Sequence, residues 1–289
     1  MSIPEPKIIA ITGATAGLGL AATIGLAGEG HHIIGVGRSQ EKIDAARKVI
    51  LVKYPDADVT YLLADLSSQE QVRNLAEQIR HLLADRRLDR LDVLVNNAGA
   101  VSSWFAPTED GYELQFAINH LAPFLLTNEL MSLLEKSDQA RIITTSSASH
   151  RHTRMHWKDV MFQKNYGTLK AYKQSKLANV LFTFELNRRL GSHSNITAYA
   201  IDPGLVNTQI GQKGTNGFVN WFWKIRSSKG APPAIPAETI IYLACRRSIP
   251  YQNAFYWKDC HPISPSRYAQ KEGPAARLWE LSENLCGIG

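Results

Sequence analysis

Short runs of β-branched and other apolar residues alternate with longer amphipathic stretches along most of the 289 residues. This alternation predicts repeated βαβ units around a parallel sheet. The predicted strands cover residues 7–12, 32–37, 58–63, 91–96, 141–146, 196–201 and 255–257. The predicted helices cover 17–29, about 39–54, 67–83, a long helix ending near 134, 170–189, about 237–246 and 275–285. We therefore expect an α/β fold with a doubly wound parallel sheet of about seven strands and helices on both faces.

A glycine-rich turn follows the first predicted strand, with Gly13, Gly17 and Gly19 in the order G-x-x-x-G-x-G and with Thr15 and Leu18 between them. Such a turn brings backbone close to phosphate, and the following helix offers free N–H groups and its positive dipole end. The spacing differs from the commoner G-x-G-x-x-G. Its position between strand and helix nevertheless predicts a dinucleotide site in a Rossmann-type single domain.

The end of the second predicted strand indicates which dinucleotide binds. Arg38 and Ser39 stand there, and the next acidic residue is Glu41. An acidic residue binds a ribose 2′-hydroxyl, whereas Arg accommodates a 2′-phosphate, so we expect NADP(H) in preference to NAD(H). The alternative is that Arg38 is solvated and Ser39 serves only as a helix N-cap.

Two further strand ends supply candidate cofactor contacts. Asp65 and Leu66 close the third strand, where a carboxylate can accept from an adenine amino group; helix capping by Asp65 is the alternative. Asn97, Ala98 and Gly99 follow the fourth strand, at the carboxyl edge where ligands bind in open α/β sheets.

Tyr172 and Lys176 are four residues apart on a predicted helix and therefore share one helix face. A neighbouring ammonium lowers the pKa of a phenol, which can then exchange a proton with a carbonyl oxygen. Ser147 ends the fifth strand, where its hydroxyl can hold the same oxygen as a second donor. Asn119 lies inside the long fourth helix. Its amide is either a core group with its hydrogen bonds satisfied or the group that binds a water beside Lys176.

Together these residues resemble the short-chain dehydrogenase/reductase superfamily in identity and in order. The resemblance implies that Tyr172 is the general acid/base, Ser147 orients the substrate oxygen, Lys176 binds the nicotinamide ribose, and Asn119 holds a proton-relay water. It also implies cofactor contacts from the segment containing Pro203, Gly204, Val206 and Thr208, with Thr208 at the carboxamide. The first half of the domain, about 1–140, would bind cofactor, and about 141–289 would carry catalysis and substrate.

Within this superfamily the chain is most similar to the retinol dehydrogenase group. The helix that follows Ser175 resembles that group, and so does the gap of 172 − 147 = 25 residues between Ser147 and Tyr172. Many animal members carry an N-terminal membrane anchor; we expect none here, so retinol itself is not assumed. Relatives commonly form dimers or tetramers, and the region of Gln174, Asn179 and Phe182 is a candidate surface for a homo-oligomer.

Aromatic residues are placed to wall a substrate pocket: Trp157 precedes Tyr172, and Phe218, Trp221 and Phe222 follow Pro203. We expect a small apolar carbonyl or alcohol substrate there. The alternatives are packing of these rings on the protein body, or weak peripheral contact with a membrane surface through the adjacent basic residues.

Composition and charge bear on the partners, metal content and location of the protein. The net charge of +6 is spread without a polybasic block, so we expect no nucleic-acid partner. The three cysteines have no metal-like spacing and indicate a reducing compartment; no metal is expected. No apolar run is long enough for a transmembrane segment, and we expect a cytoplasmic protein.

The leading hypothesis is therefore an NADP(H)-dependent enzyme that interconverts an apolar carbonyl compound and its alcohol. Reduction of an activated C=C bond is a second hypothesis, because the same residues serve both reactions. A non-catalytic dinucleotide-binding sensor or scaffold is the third, although such proteins often lack the Tyr or the Lys.

Overall fold

The computed structural model describes residues 5–206, 231–251 and 253–288. Its strands are β1 (Ile8–Thr12), β2 (His32–Gly37), β3 (Val59–Leu63), β4 (Val93–Asn96), β5 (Ala140–Thr145), β6 (Ile196–Ile201), β7 (Tyr256–Lys258) and β8 (His261–Pro262). They form one sheet in the order β3-β2-β1-β4-β5-β6-β7-β8. The predicted fold class is confirmed, with one strand more than the seven expected. The additional strand β8 pairs antiparallel with β7, and two residues are too few to leave a periodic sequence pattern.

The helices of the described residues flank this sheet. They are α1 (Gly17–Gly28), α2 (Gln40–Lys53), α3 (Gln69–Asp85), α4 (Leu114–Phe116), α5 (Ala122–Glu129), α6 (Met131–Leu134), α7 (Thr168–Leu190), α8 (Ala234–Cys245) and α9 (Glu272–Cys286). A π-helical turn, Ala117–Leu121, joins α4 to α5, and a 3₁₀ turn, Ala148–His152, follows β5. The single long helix predicted to end near residue 134 is therefore a series of segments.

Two buried clusters fill the space between the sheet and its helices. One contains apolar side chains from α3, α5, α7 and α9. The other contains side chains from α1 and α8 on the opposite face. Because both faces are covered, the central strands are apolar throughout, and all five residues of β1 are buried.

The strand order places β1 between β2 and β4: the chain runs outward from β1 through β2 to β3 and then crosses back to β4 on the other side of β1. This switch opens a crevice at the carboxyl ends of the strands, the usual ligand position in open α/β sheets. Strands from both halves of the sequence pair within the one sheet.

Helix α9 covers the outer side of α7 through aromatic contacts. Trp279 packs on Phe182 and Phe124, with ring centroids 5.9 and 5.0 Å apart. Phe182 is buried beneath α9, Gln174 against residues 156–160 and Asn179 against the end of β5. These three residues do not form the subunit surface expected of them, because α9 and the neighbouring segments already cover them. Among the described helices none has the length and apolar character needed to cross a membrane.

Candidate functional site

A cavity of about 1040 Å³ lies at the carboxyl ends of the central strands. The predicted site residues that line it are Gly13, Thr15, Gly17, Leu18, Gly19, Arg38, Asp65, Leu66, Asn97, Ala98, Gly99, Ser147, Tyr172, Lys176, Pro203, Gly204 and Val206. Thr208, Phe218, Trp221 and Phe222 lie outside the described residues, so the structure does not place them. One continuous cavity thus joins the glycine turn to the Tyr-Lys pair.

The glycine turn is packed so closely that side chains are excluded at two of its positions. Gly13 has a positive φ of 67°, and a Cβ there would lie 2.9 Å from the Cα of Ala98. A Cβ on Gly19 would lie 2.2 Å from the Gly13 carbonyl oxygen and 2.5 Å from Asn97 Nδ2. Glycine is therefore required by the approach of α1 to the strand ends.

The N-terminus of α1 points its free donors toward this cavity. Ala16 occupies the N-cap position and provides no side-chain hydrogen bond to the first turn. The first N–H groups of a helix have no intrahelical acceptors, and together with the positive dipole end they favour an anion. The turn thus fits the pyrophosphate of a dinucleotide.

The opposite end of the cavity is basic. Arg38 is exposed at the end of β2, and Lys42 lines the same wall one helical turn later, on α2. Sequence reasoning missed Lys42, which lies in the first turn of α2, four residues after Arg38. Ser39 is the N-cap residue of α2 but makes no side-chain cap bond, and it is absent from the cavity wall described here.

Asp65 lines the cavity while its carboxylate holds the local turn. Its Oδ1 accepts hydrogen bonds from the backbone N–H and the hydroxyl of Ser67, at 2.9 and 2.8 Å. The N-cap of α3 is Ser68, whose hydroxyl accepts from the N–H of Gln71. Asp65 is therefore not the N-cap of that helix.

Thr12 and Asn97 connect the glycine turn to the end of β4. The Thr12 hydroxyl accepts from the backbone N–H groups of Asn97 and Ala98, at 3.0 and 3.1 Å. Asn97 Nδ2 donates to the Thr12 carbonyl at 3.0 Å. Thr12 was not predicted as a site residue, because its role depends on a strand pairing that no local spacing reveals.

Tyr172 and Lys176 face the cavity from α7. Lys176 Nζ lies 5.8 Å from the centroid of the Tyr172 ring and donates to the Thr145 carbonyl oxygen at 3.0 Å. The side chain is almost fully buried, and burial lowers the pKa of Lys176 from 10.5 to about 8. An ammonium is thus held near the phenol in a site of low polarity.

Asn119 is fully buried in the π-helical turn, where its amide is satisfied on both sides. Its Oδ1 accepts from the Ala100 N–H at 2.7 Å, and its Nδ2 donates to the Ala100 carbonyl and to Ser175 Oγ. Ser175 in turn donates to the Tyr172 carbonyl at 2.9 Å. Asn119 is therefore hydrogen-bonded both to the cavity wall at Ala100 and to the turn of α7 that carries Tyr172.

Two adjacent serines at the end of β5 have different surroundings. The Ser146 hydroxyl is buried and donates to the Lys176 carbonyl at 2.7 Å. The Ser147 hydroxyl accepts from the Ser149 N–H at 3.2 Å, and Ser147 is half-buried on the cavity wall. Ser147 is thus the better placed of the two to meet a ligand.

The part of the cavity beyond Tyr172 is apolar and open to solvent. Trp104, Leu169 and Leu205 line it and are 47%, 40% and 40% exposed. None of them was predicted as a substrate-site residue, because single exposed apolar residues outside the core pattern carry no periodic signal. Trp157 lies elsewhere: it packs on the core beneath Arg277, whose guanidinium is 4.5 Å from the ring centroid.

Glu29, His31 and Cys245 bring metal-ligating atoms within 4.8 Å of one another, away from this cavity. The backbone N–H of Lys7 donates to His31 Nδ1, however, so the ring hydrogen is on Nε2. Nε2 contacts Cys245 Sγ at 3.1 Å and has no free lone pair for a cation. The cluster therefore does not have the chemistry of a metal site.

Comparison with known proteins agrees with this geometry. The family described as short chain dehydrogenase matches residues 7–217. Human retinol dehydrogenase 13 is 36% identical over 291 residues, covering 98% of this chain and 85% of that protein. The chain belongs to the short-chain dehydrogenase family and is similar to its retinol dehydrogenase group.

Two solved structures are also similar. An uncharacterized protein from Mycobacterium paratuberculosis is 30% identical, with a TM-score of 0.73 over 99% of this chain and 97% of that one. A short chain dehydrogenase from Shigella flexneri, complexed with NADP, is 25% identical, with a TM-score of 0.64 over 82% of this chain and 90% of that one.

Proposed function

We propose that this protein is an NADP(H)-dependent oxidoreductase that interconverts an apolar aldehyde or ketone and its alcohol. The observation that supports this most directly is the buried Lys176 ammonium beside Tyr172, in the same cavity as the glycine turn. Burial of an ammonium costs hydration free energy, and ionisable groups perturbed in this way inside a cleft cluster at functional sites. Family membership supports the same reaction class.

In the proposed mechanism the nicotinamide, when bound, supplies or accepts hydride. Tyr172 exchanges the proton with the substrate oxygen as general acid/base. Ser147 donates a second hydrogen bond to that oxygen and stabilises the charge that develops on it. Lys176 favours the phenolate electrostatically and binds the nicotinamide ribose, and Asn119 holds the surrounding backbone.

The NADP preference rests on Arg38 and Lys42, two cations on the cavity wall at the end of β2. A 2′-phosphate is an anion that both can contact, whereas a 2′-hydroxyl gains little from them. NAD(H) remains the alternative. The similar protein from Shigella flexneri was solved as a complex with NADP, which supports this preference.

Replacement of Arg38 by Ala tests the cofactor assignment. We expect NADPH affinity to fall about tenfold or more, with NADH affinity nearly unchanged, because only the 2′-phosphate contact is removed. Equilibrium fluorescence titration with both nucleotides measures this, and Arg47→Ala, an exposed arginine on the adjacent helix α2, is the control. Equal loss for both nucleotides would contradict the assignment.

Replacement of Tyr172 by Phe tests the mechanism. We expect NADPH oxidation with hydrophobic aldehydes and ketones to fall by about 10³-fold or more, with NADPH affinity retained, because the proton donor alone is lost. Turnover that survives in the Phe variant would reject Tyr172 as the acid.

Product analysis with enones distinguishes carbonyl reduction from C=C reduction. Wild-type protein that binds NADPH but reduces none of these compounds would favour the sensor or scaffold.

The exposed apolar wall supports an apolar substrate. Trp104, Leu169 and Leu205 would be covered by such a ligand, and their coverage would exclude water from the reacting carbonyl. The group name of the human relative suggests a retinoid, and a steroid-like ketone fits the same chemistry.

A further inference from the structure

The 3₁₀ turn after Ser147 contains His150, a fully buried imidazole that the proposed mechanism does not use. Its Nδ1 lies 2.7 Å from the Ser147 carbonyl oxygen, which also accepts the His150 backbone N–H at 3.1 Å. On the other side of the ring, the backbone N–H of Ser266 donates to Nε2 at 3.0 Å. The imidazole thus bridges the serine that faces the cavity and the C-terminal loop.

These partners determine the tautomer. A backbone N–H is an obligatory donor, so Nε2 accepts from Ser266, and the ring hydrogen lies on Nδ1. Nδ1–H therefore donates to the Ser147 carbonyl. A protonated ring would place its Nε2–H against the Ser266 N–H, with two donors facing each other.

The charged and titratable groups around the ring agree with a neutral imidazole. Burial is the largest cause of the lowered pKa of His150, and Arg151 and His152 on its own turn lower it further. The hydrogen bond to the Ser147 carbonyl and the carboxylate of Asp202, which follows β6, oppose them. Tyr256 of β7 stacks edge-on at 5.0 Å, with its hydroxyl 3.3 Å from Nδ1.

We propose that His150 is a positioning residue for Ser147, which it holds through the Nδ1–H bond to the Ser147 carbonyl. The Ser147 side chain has few constraints of its own, since its hydroxyl accepts only the 3.2 Å bond from the Ser149 N–H among the contacts described. Two donors on the carbonyl restrain the peptide plane that follows the Ser147 Cα, and this limits the positions that the side chain can take. A displacement of about 1 Å in a catalytic group is enough to cost a large factor in rate.

The variants His150→Asn and His150→Gln separate the bond that positions Ser147 from the bond that only anchors the loop at Ser266. Asn places an amide N–H near the position of Nδ1 and can donate to Ser147, whereas Gln reaches the position of Nε2 and can accept from Ser266. His150→Phe retains a ring and loses both bonds. His152→Phe, an exposed neighbour in the same turn, is the control.

We expect kcat for carbonyl reduction to fall about tenfold in the Phe and Gln variants and to stay within about threefold of wild type in the Asn variant, because only Asn keeps Ser147 in place. NADPH affinity should change little in all of them, since the cofactor contacts lie on other elements. Rescue by Gln but not by Asn, or equal loss in all three, would overturn the positioning role. The Asn–Gln comparison stands even where the Phe variant folds poorly.

A second measurement does not depend on turnover, which matters because the inference rests on the proposed function. Two-bond ¹H–¹⁵N correlation spectra of protein labelled in its nine histidines report the tautomer, and His150→Asn identifies the signal. We expect a neutral ring with its hydrogen on Nδ1 at neutral pH. An Nε2–H or protonated ring would reject the positioning role and leave the proposed function standing, whereas wild-type protein without turnover would reject the proposed function.

Discussion

At the scale of single residues, Lys176 shows the cost of a charged group in the candidate site. Its pKa is lowered from 10.5 to about 8 by burial, so the folded protein holds the ammonium less readily than the unfolded chain does. The unfolded chain therefore binds more protons between about pH 8 and 10.5, and stability contributed by this residue rises with pH through that window. At neutral pH both states are charged and the folded state carries the burial penalty.

We expect Lys176→Met to stabilise the cofactor-free protein near pH 7 by about 1–3 kcal/mol, because Met has similar length and no charge to desolvate. The gain should shrink as the pH approaches 10, where wild-type Lys176 loses its proton. Urea unfolding of both proteins at several pH values measures this. A variant less stable than wild type at every pH would show that the bond to Thr145 outweighs the burial cost.

At the scale of elements, the helices differ in whether an N-cap side chain accepts a hydrogen bond from the free N–H groups of the first turn. Ser68 caps α3 through a hydrogen bond from the Gln71 N–H, whereas Ser39 begins α2 without a side-chain cap bond. The sequence offers Ser at both positions and does not distinguish them.

The two serines therefore form a matched pair of substitutions. We expect Ser68→Ala to lower stability by about 0.5–2 kcal/mol, because one donor of α3 loses its acceptor. Ser39→Ala should change stability by less than about 0.5 kcal/mol. Thermal unfolding of both variants measures the difference; equal losses would mean that Ser39 also caps its helix in solution. NADPH titration of Ser39→Ala separately tests the predicted phosphate contact.

At the scale of the whole molecule, α9 closes the structure over α7 and the π-helical turn. Trp279 is 7% exposed and contacts Phe124 and Phe182, with the Arg189 guanidinium 4.5 Å from its ring centroid. This contact brings the end of the chain against the helix that carries Tyr172 and Lys176. Trp104, by contrast, is 47% exposed at the cavity mouth.

The two tryptophans should thus separate stability from substrate binding. We expect Trp279→Ala to cost about 3–5 kcal/mol, because it leaves a cavity between helices. Trp104→Ala should cost less than about 1 kcal/mol and raise KM for apolar carbonyls about tenfold, because apolar surface in the complex is lost. Denaturant unfolding and steady-state kinetics measure both. An unchanged KM in Trp104→Ala would remove this residue from the substrate site.

Local pattern was enough to predict most of the fold and the components of the site. Strand β1, the turn through Gly19 and the Tyr172–Lys176 pair are each specified by neighbours within a few positions, so periodicity and spacing are informative. Ser147 and Arg38 were predicted in a similar way, from their positions at the ends of predicted strands. Strand β8 and the π-helical turn left no signal, because two to five residues are too few to show a period.

What the sequence determined by itself is the class of the protein: an α/β dinucleotide fold with a Tyr-Lys pair, since these depend on local spacing. Tertiary structure decided which residues meet across long separations. It buried Phe182 under Trp279, placed Trp104 rather than Trp157 at the cavity, and brought His150 between Ser147 and Ser266. Such contacts depend on chain topology and packing, and the residues that make them have no mark in their immediate sequence neighbourhood.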